Sequence, residues 1–309
     1  NKKNIYIIII NNKNEAIALF PLEVKKYFIF KILQWIGTKK SDYCNPIISN
    51  NFYNNIDKKI FLTLWKDILN KKDNFDLYYF NNQLIKIEES ENPFVKFFDA
   101  KIFSKIFQIQ LPETFDKYKR KIKEKDKKYF YEIHRTLIKL DNLKKIYPVE
   151  FYANKLNSKD LKLKNLVKDK IQQLKNENKK SNLDQDFIKI YENLSILNND
   201  NYFITQLKID GKIVAECFGI IYKDTFYYFI PLLLPNEYSN FKIGKILILK
   251  IIEWCIYKKL KKFDFGLGSE SYKKYFSNIS IPMYRHNDYR GIKGFFLFIF
   301  LRLFFFFKL

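Results

Sequence analysis

The sequence predicts an α/β protein built on a mixed sheet, and three observations carry that prediction. Tyr202–Ile209, Lys212–Tyr222 and 225–234 are strand-like runs that follow one another as an antiparallel meander. The meander leads into a loop, a helical run and one more strand at 262–265, an order that implies a right-handed crossover with parallel pairing. Glu15–Phe20 and Lys212–Phe218 each follow a short polar turn and alternate small with apolar residues. That echo reflects either the general likeness of hairpins or a tandem duplication. At 309 residues, 47% of them hydrophobic, the chain has material for about two domains.

The elements can be justified in order. Ile5–Ile10 and Glu15–Leu22 read as a hairpin around Asn11–Asn14, with Tyr27–Ile36 as a third strand. Asp57–Asn70 places Ile60, Phe61, Leu64, Trp65, Ile68 and Leu69 at helical spacing. Asp76–Phe80 and Lys101–Gln110 read as further strands around the Pro93 loop. From Phe115 to Leu143 the pattern is helical and very basic, and Pro148 ends it. Val149–Tyr152 reads as a short strand, then 159–175 and 186–197 as helices. Asp210–Gly211 is a hairpin turn, since Gly accepts the positive φ such turns require. Ile243–Leu260 reads as a helix with Leu247, Ile251, Trp254 and Cys255 on one face.

A net charge of +23 invites a polyanion or membrane partner. Of the 56 basic residues, however, only Arg120, Arg135, Arg285, Arg290 and Arg302 are arginine, the better residue for bidentate phosphate contact. Lys rises together with Asn, Ile, Phe and Tyr, residues that share A/T-rich codons. Compositional drift is therefore the simpler account, and a dedicated nucleic-acid reader is not expected. Cys44, Cys217 and Cys255 lie far apart and make no metal-ligand spacing with His134 and His286. The expectation is a cytoplasmic chain without a disulfide framework or a metal. No apolar run reaches the roughly 18–20 residues of a spanning helix. The chain begins at Asn1 rather than Met, as a piece of a longer protein would.

One constellation carries chemistry. The loop Ser239–Lys245 (SNFKIGK) enters an amphipathic helix whose first N–H groups form a natural phosphate seat. Gly244 would allow close backbone approach, and Lys242 and Lys245 add charge. It lacks the glycine spacing of a P-loop or dinucleotide fingerprint. Ligands of open α/β sheets sit beyond the carboxyl ends of strands, which places this loop beside FDFGLGSESYKKYF, Phe263–Phe276. Asp264 alternates with Phe263 and Phe265 and so faces away from the aromatic side. Without a partner it would suit a general base; paired with a lysine such as Lys273 it would be structural.

These segments, with the hairpin block GKIVAECFGI and FYYFIPLL upstream, resemble the GNAT acyltransferase superfamily. The branch resembled is the cellulose-biosynthesis CelD-like one, related to the FemAB peptidyltransferases. Its last strand commonly reads Asp-Phe-x-x-Gly followed by Glu, a Tyr-Lys pair and an aromatic residue. These fall on Asp264, Phe265, Gly268, Glu270, Tyr272, Lys273 and Phe276. The branch's Asp-Tyr after the third strand matches Asp42–Tyr43, and its basic helical segment matches Lys117–Lys128. The helix start departs from the usual Ser-Pro-Gly, reading Lys242–Ile243–Gly244.

The resemblance implies two GNAT-like halves, expected at 1–114 and 146–290, joined by a basic connector at 115–145 and followed by an apolar tail at 291–309. It implies an acyl-CoA donor, acetyl-CoA included, bound by Lys242, Ile243, Gly244 and Lys245. Asp264 and Glu270 are the expected base or acceptor-orienting carboxylate, and Lys273 a contact to substrate or to Glu270. Asp42, Tyr43, Tyr272 and Arg285 are expected on the acceptor side. Backbone N–H groups late in the strand that begins at Phe226 would stabilise an oxyanion. The acceptor would be an amine or hydroxyl of a sugar or envelope-polysaccharide precursor. The alternatives are a FemAB-like aminoacyl-tRNA-dependent transferase and a non-catalytic basic protein that binds tRNA or an anionic membrane. Lys117–Lys128 reads as a solvated helix face or a polyanion site. The tail Gly294–Leu309, interrupted by Arg302 and Lys308, would lie in a membrane interface or pack on the second half.

Overall fold

The structure is a computed structural model that describes residues 4–306 apart from 39, 72–74, 157–160, 180–182, 198 and 269. For 194–197, 199, 239, 302 and 304–306 it describes the backbone alone. The chain runs β1 (Asn4–Asn12), β2 (Glu15–Tyr27), β3 (Phe30–Trp35), β4 (Ile47–Ile48), α1 (Phe52–Asn55), α2 (Lys58–Asn70), β5 (Leu77–Gln83), β6 (Lys86–Ile87), β7 (Ser90–Glu91), α3 (Pro93–Lys96) and β8 (Lys101–Gln110). There follow α4 (Phe115–Lys125), α5 (Lys127–Ile146), β9 (Val149–Lys155), α6 (Lys162–Asn176), α7 (Gln185–Leu197), β10 (Tyr202–Ile209), β11 (Lys212–Tyr222) and β12 (Thr225–Leu233). The last elements are α8 (Ile243–Tyr257), β13 (Lys262–Leu267), α9 (Ser271–Phe276), β14 (Ile279–Tyr289) and α10 (Gly291–Phe306).

Two compact units result, one of Asn1–Ser104 with Pro282–Leu309 and one of Lys105–Ile281. This division differs from the expected 1–114, 115–145, 146–290 and 291–309. The basic segment is not a free connector, because Tyr118, Ile122, Ile133, Leu140 and Leu143 of α4 and α5 are buried in the second unit's core. The tail is not separate either, since β14 and α10 complete the first unit. β14 was not expected from the sequence; its mixed pattern of half-buried positions shows no clean alternation.

In the first unit the strand order is β1-β2-β3-β5-β14. β1, β2 and β3 pair antiparallel, β3 pairs β5 in parallel, and β14 pairs β5 antiparallel. The crossover from β3 to β5 passes through α2, whose Phe61 and Trp65 are buried among Phe20, Trp35, Phe80 and Phe94. The Phe94 ring meets Trp65 edge-on at 4.9 Å, Phe20 at 5.1 Å and Trp35 at 5.2 Å. Edge-to-face contacts of this kind suit the aromatic quadrupole.

In the second unit the order is β8-β13-β12-β11-β10-β9. β9 to β12 are antiparallel, β12 pairs β13 in parallel, and β13 pairs β8 antiparallel. Asp210 and Gly211 both have positive φ, 51° and 73°, as the two-residue hairpin turn demands. The sheet separates two cores. One gathers α4, α5 and α8 against Leu207, Cys217, Phe226 and Phe263; the other gathers α6 and α7 against Ile204, Phe218, Ile230 and Leu232.

A single irregularity sets up the site. The β11–β12 register runs from Phe218↔Ile230 to Gly219↔Tyr228 and skips Phe229. One extra residue flips every later side chain to the other face. Phe226 and Tyr228 accordingly face the α8 core, while Ile230 and Leu232 face the α6–α7 core. The parallel pairing of β12 with β13 ends just before the bulge, at Tyr227↔Asp264.

Candidate active site

The parting of β12 from β13 lies beside the start of the helix that connects them. α8 buries nine of its residues, on more than the single face expected from its sequence, and so is held on several sides. Its first turn is unusual. Lys242 stands in the left-handed region at φ 57°, a conformation that costs a non-glycine residue about 1–2 kcal/mol. Among the described residues no side chain caps the helix; Lys245 N–H and Ile246 N–H both donate to the Lys242 carbonyl. Gly244 serves close packing: a Cβ there would lie 3.3 Å from Leu233 Cδ2, at the end of β12.

The two lysines of this turn converge on a carboxylate from α5. Glu132 Oε2 accepts from Lys245 Nζ at 2.9 Å and from Lys242 Nζ at 3.2 Å, and Oε1 accepts from Arg135 Nη1 at 3.1 Å. The Lys245 hydrogen bond, aided by Lys242 and opposed by burial, pulls the Glu132 carboxyl down to about 2. Lys245 Nζ also stands 4.9 Å from the Tyr275 ring centroid, a cation–π contact. Two ammonium groups and a helix start thus surround one acidic group, the environment a phosphate would need. Glu132 was missed by sequence reasoning, because its role depends on packing between segments 110 residues apart.

The glycine-rich stretch is built differently from expectation. Asp264 is buried and has partners: Oδ1 accepts from Gly266 N–H at 2.6 Å and Oδ2 from Gln108 Nε2 on β8 at 2.6 Å. Of the two environments the sequence left open for Asp264, the unpartnered one is not found; the carboxylate braces the turn at Gly266, where φ is 68°. Phe263 and Phe265 are buried as well, so the strand is interior from Phe263 to Gly266. Lys273 is also buried; its Nζ donates to the Leu267 carbonyl at 2.8 Å and pairs with Glu270 Oε2 at 3.0 Å. Of the two contacts expected of Lys273, the one to Glu270 is present. Glu270 keeps about half its side chain exposed, so this ion pair joins an interior cation to a solvent-facing anion. The Tyr272 hydroxyl is held in its neutral form, its pKa raised by burial first and by Glu270 and Cys217 after that.

Two further groups of this unit titrate abnormally. Burial lowers the pKa of Lys170 on α6, with Glu177, Cys217 and Glu270 among the charges that act on it. Burial raises that of Glu216 on β11, whose carboxylate accepts from Gln206 Nε2. Neither carried a sequence signal, since a lone Lys on a basic helix and a lone Glu in a strand look ordinary. The backbone amides of Phe229 and Ile230 act on the buried Cys217 thiol, whose pKa burial raises.

Asp42, Tyr43 and Arg285 belong to the first unit, whereas Lys242, Ile243, Gly244, Lys245, Asp264, Glu270, Tyr272 and Lys273 belong to the second. The Asp42–Tyr43 loop is tied to β5: Asn82 Nδ2 donates to the Ser41 carbonyl and Cys44 N–H to the Asn82 carbonyl, both at 2.8 Å. Arg285 donates from Nη1 to the Tyr79 hydroxyl at 2.9 Å and stacks against Phe103. Among the described residues no cluster of His, Cys, Asp and Glu is placed to hold a metal ion.

Comparison with known proteins places this geometry. Residues 127–274 match the family described as acetyltransferase (GNAT) domain. A search of curated proteins returns no match. Among solved structures, the C-terminal domain of a putative lysylphosphatidylglycerol synthetase from Agrobacterium fabrum is similar at 11% identity and a TM-score of 0.53. That alignment covers 96% of this chain and 87% of that one. L-PGS from Bacillus licheniformis gives 11% identity and 0.53, covering 96% and 88%; FemX gives 10% and 0.53, covering 91% and 88%. Residues 127–274 are thus similar to a GNAT acetyltransferase domain, and the mixed α/β fold is similar along most of its length to that of these structures.

Proposed function

We propose that the protein is an acyltransferase that moves an acyl group from acyl-CoA to an amine or hydroxyl of a sugar or envelope-polysaccharide precursor. The observation that carries this reading is the uncapped start of α8, with Lys242 and Lys245 aimed at one acidic group beside the end of the β12–β13 pairing. A pyrophosphate in place of the Glu132 carboxylate would keep both ammonium contacts and gain the first amides of the helix. The donor thioester is already activated, so the protein has to hold it against the acceptor; orientation supplies much of the rate.

In this reading Glu270 orients the acceptor, held by the buried Lys273 ammonium, and Lys170 lines the same side. Asp264 braces the strand end and takes no proton. Glu270, half exposed beside the Lys273 ammonium, is the carboxylate left to accept the acceptor's proton, a step worth about 10²–10⁴-fold. Calorimetric titration with acetyl-CoA tests the donor: binding that is lost in Gly244→Trp and Lys245→Glu supports the reading, and its absence in the unaltered protein overturns it.

One observation favours a second donor, aminoacyl-tRNA. A groove of about 380 Å³ between α4 and α5 is lined by Lys119, Arg120, Lys123 and His134 over Phe130 and Leu137, with Asp116 paired to Lys119 at its edge. A cationic rim over an aromatic floor suits a nucleic-acid strand. Binding to tRNA that collapses by about 200 mM salt, with no response to acyl-CoA, would select this donor.

A further inference from the structure

α10 is apolar along almost its whole length, with Lys293 and Arg302 as the exceptions. Gly294 is the point where it docks: a Cβ there would collide with the Asp76 carbonyl, and Phe298 is buried nearby. On the outward side, Ile292, Phe295, Phe296, Ile299, Phe300 and Leu303 follow one another at helical spacing, with exposures from 38% to 78%. A helix apolar all round is ordinarily enclosed on every face; here one stripe faces outward.

A second, chain-distant element of the same unit carries the same signature. The β2–β3 hairpin turns through Phe28, 94% exposed and at φ 53°, and Ile29, 65% exposed. A bulky residue that is both left-handed and solvated is costly on two counts. The tip and the helix are joined directly, because Lys293 Nζ donates to the Ile29 carbonyl at 2.5 Å and stands 5.4 Å from the Phe30 ring centroid. Just behind the tip, Lys26 and Lys31 face each other across the β2–β3 ladder.

We propose that the Phe28–Ile29 tip and the outward stripe of α10 form one docking surface for an anionic lipid bilayer, with the apolar groups at the acyl boundary and Lys26, Lys31 and Lys293 at the headgroups. Contiguous apolar exposure on this scale marks an interaction site, and its layered order, apolar beyond cationic, matches a bilayer interface. A second copy is a poorer occupant: a two-fold contact would set the same lysines against themselves. Among the described residues no helix is long and apolar enough to cross a membrane, so the surface rests on the bilayer. The inference stands on the first unit alone and does not depend on the proposed transferase activity.

Vesicle co-sedimentation tests it, with phosphatidylcholine alone and with phosphatidylcholine mixed with phosphatidylglycerol. The protein is expected to sediment with the anionic vesicles. The triple variant Phe28→Ser, Ile292→Ser, Phe296→Ser, altered only at exposed positions, should lose about a hundredfold in affinity. Lys26→Glu should lose about fivefold, and only on the anionic vesicles. An unchanged thermal unfolding profile confirms that the variants fold. Equal sedimentation of the triple variant and the parent, or no sedimentation of the parent, overturns the proposal. So does a parent that is dimeric by ultracentrifugation and made monomeric by the triple substitution.

Discussion

The two units repeat one plan and differ at one turn. In each, an antiparallel meander is followed by a helical crossover to a parallel strand, and that strand pairs on its far side with an antiparallel one: β5 with β14, β13 with β8. In the first unit the crossover helix α2 begins at Asp57, whose Oδ1 accepts from Ile60 N–H at 2.8 Å. In the second, α8 begins at Lys242 with no side-chain cap, and its charges look outward to Glu132. A helix start that satisfies itself has nothing to offer a phosphate; one left open and flanked by ammonium groups has. Both units bury charge with hydrogen-bonded partners, Asp264 and Lys273 in the second and Glu23, which accepts from Gln34 Nε2 at 2.8 Å, in the first; the first also buries His286, whose Nε2 has no partner among the described residues and whose ring stacks on Phe98 at 4.4 Å.

The sharpest way to break the comparison is to reverse the charge of the open turn. Lys242→Glu with Lys245→Glu is expected to weaken donor binding by at least about a hundredfold, as loss of charge-assisted hydrogen bonds would. Asp57→Ala in the corresponding turn should leave it unchanged; calorimetric titration of both variants checks this.

The next effect belongs to His286. Burial depresses its pKa from 6.5 to about 4. The unfolded chain then binds a proton at higher pH than the folded one, so stability is full above about pH 6.5 and falls as the pH drops towards 4. About 2 kcal/mol should be lost by pH 5. Thermal unfolding at several pH values should show this slope in the parent and a flatter one in His286→Phe.

Asp264→Asn sharpens the assignment of brace against base. Two donors then meet a neutral amide, at a cost of about 1–2 kcal/mol, and the pH profile of turnover should keep its shape. A profile that loses its acidic limb would restore Asp264 as the base. The smallest effects are at the caps themselves. Asp57→Ala should cost about 1 kcal/mol, while Lys242→Gly should stabilise by up to about 1 kcal/mol and still weaken donor binding. Denaturant unfolding beside titration would separate the two.

Much of the fold was legible because its signals are local. The Asp210–Gly211 turn, β10, β11 and the amphipathic α2 follow from alternation, helical spacing and the conformational freedom of glycine. β14 was not legible, because its half-buried positions lack a period. The site was legible as a place and less so as chemistry: the loop before Ile243 and the stretch after Phe263 were marked, but Asp264 was left between two environments. Alternation tells which side of a strand a residue takes, not whether that side is also covered, and here β8 covers it through Gln108.

The order of residues by itself determined most of the secondary structure, the parallel crossover and the position of an open helix start, since each depends on neighbours within a few residues. Tertiary structure alone decided that Glu132 meets Lys242 and Lys245, that Asp264 is a brace, that Lys273 is interior and that Phe28 lies beside α10. Those facts arise from side chains brought together across 100 residues or more, or from faces closed by distant strands, and no local pattern encodes such meetings.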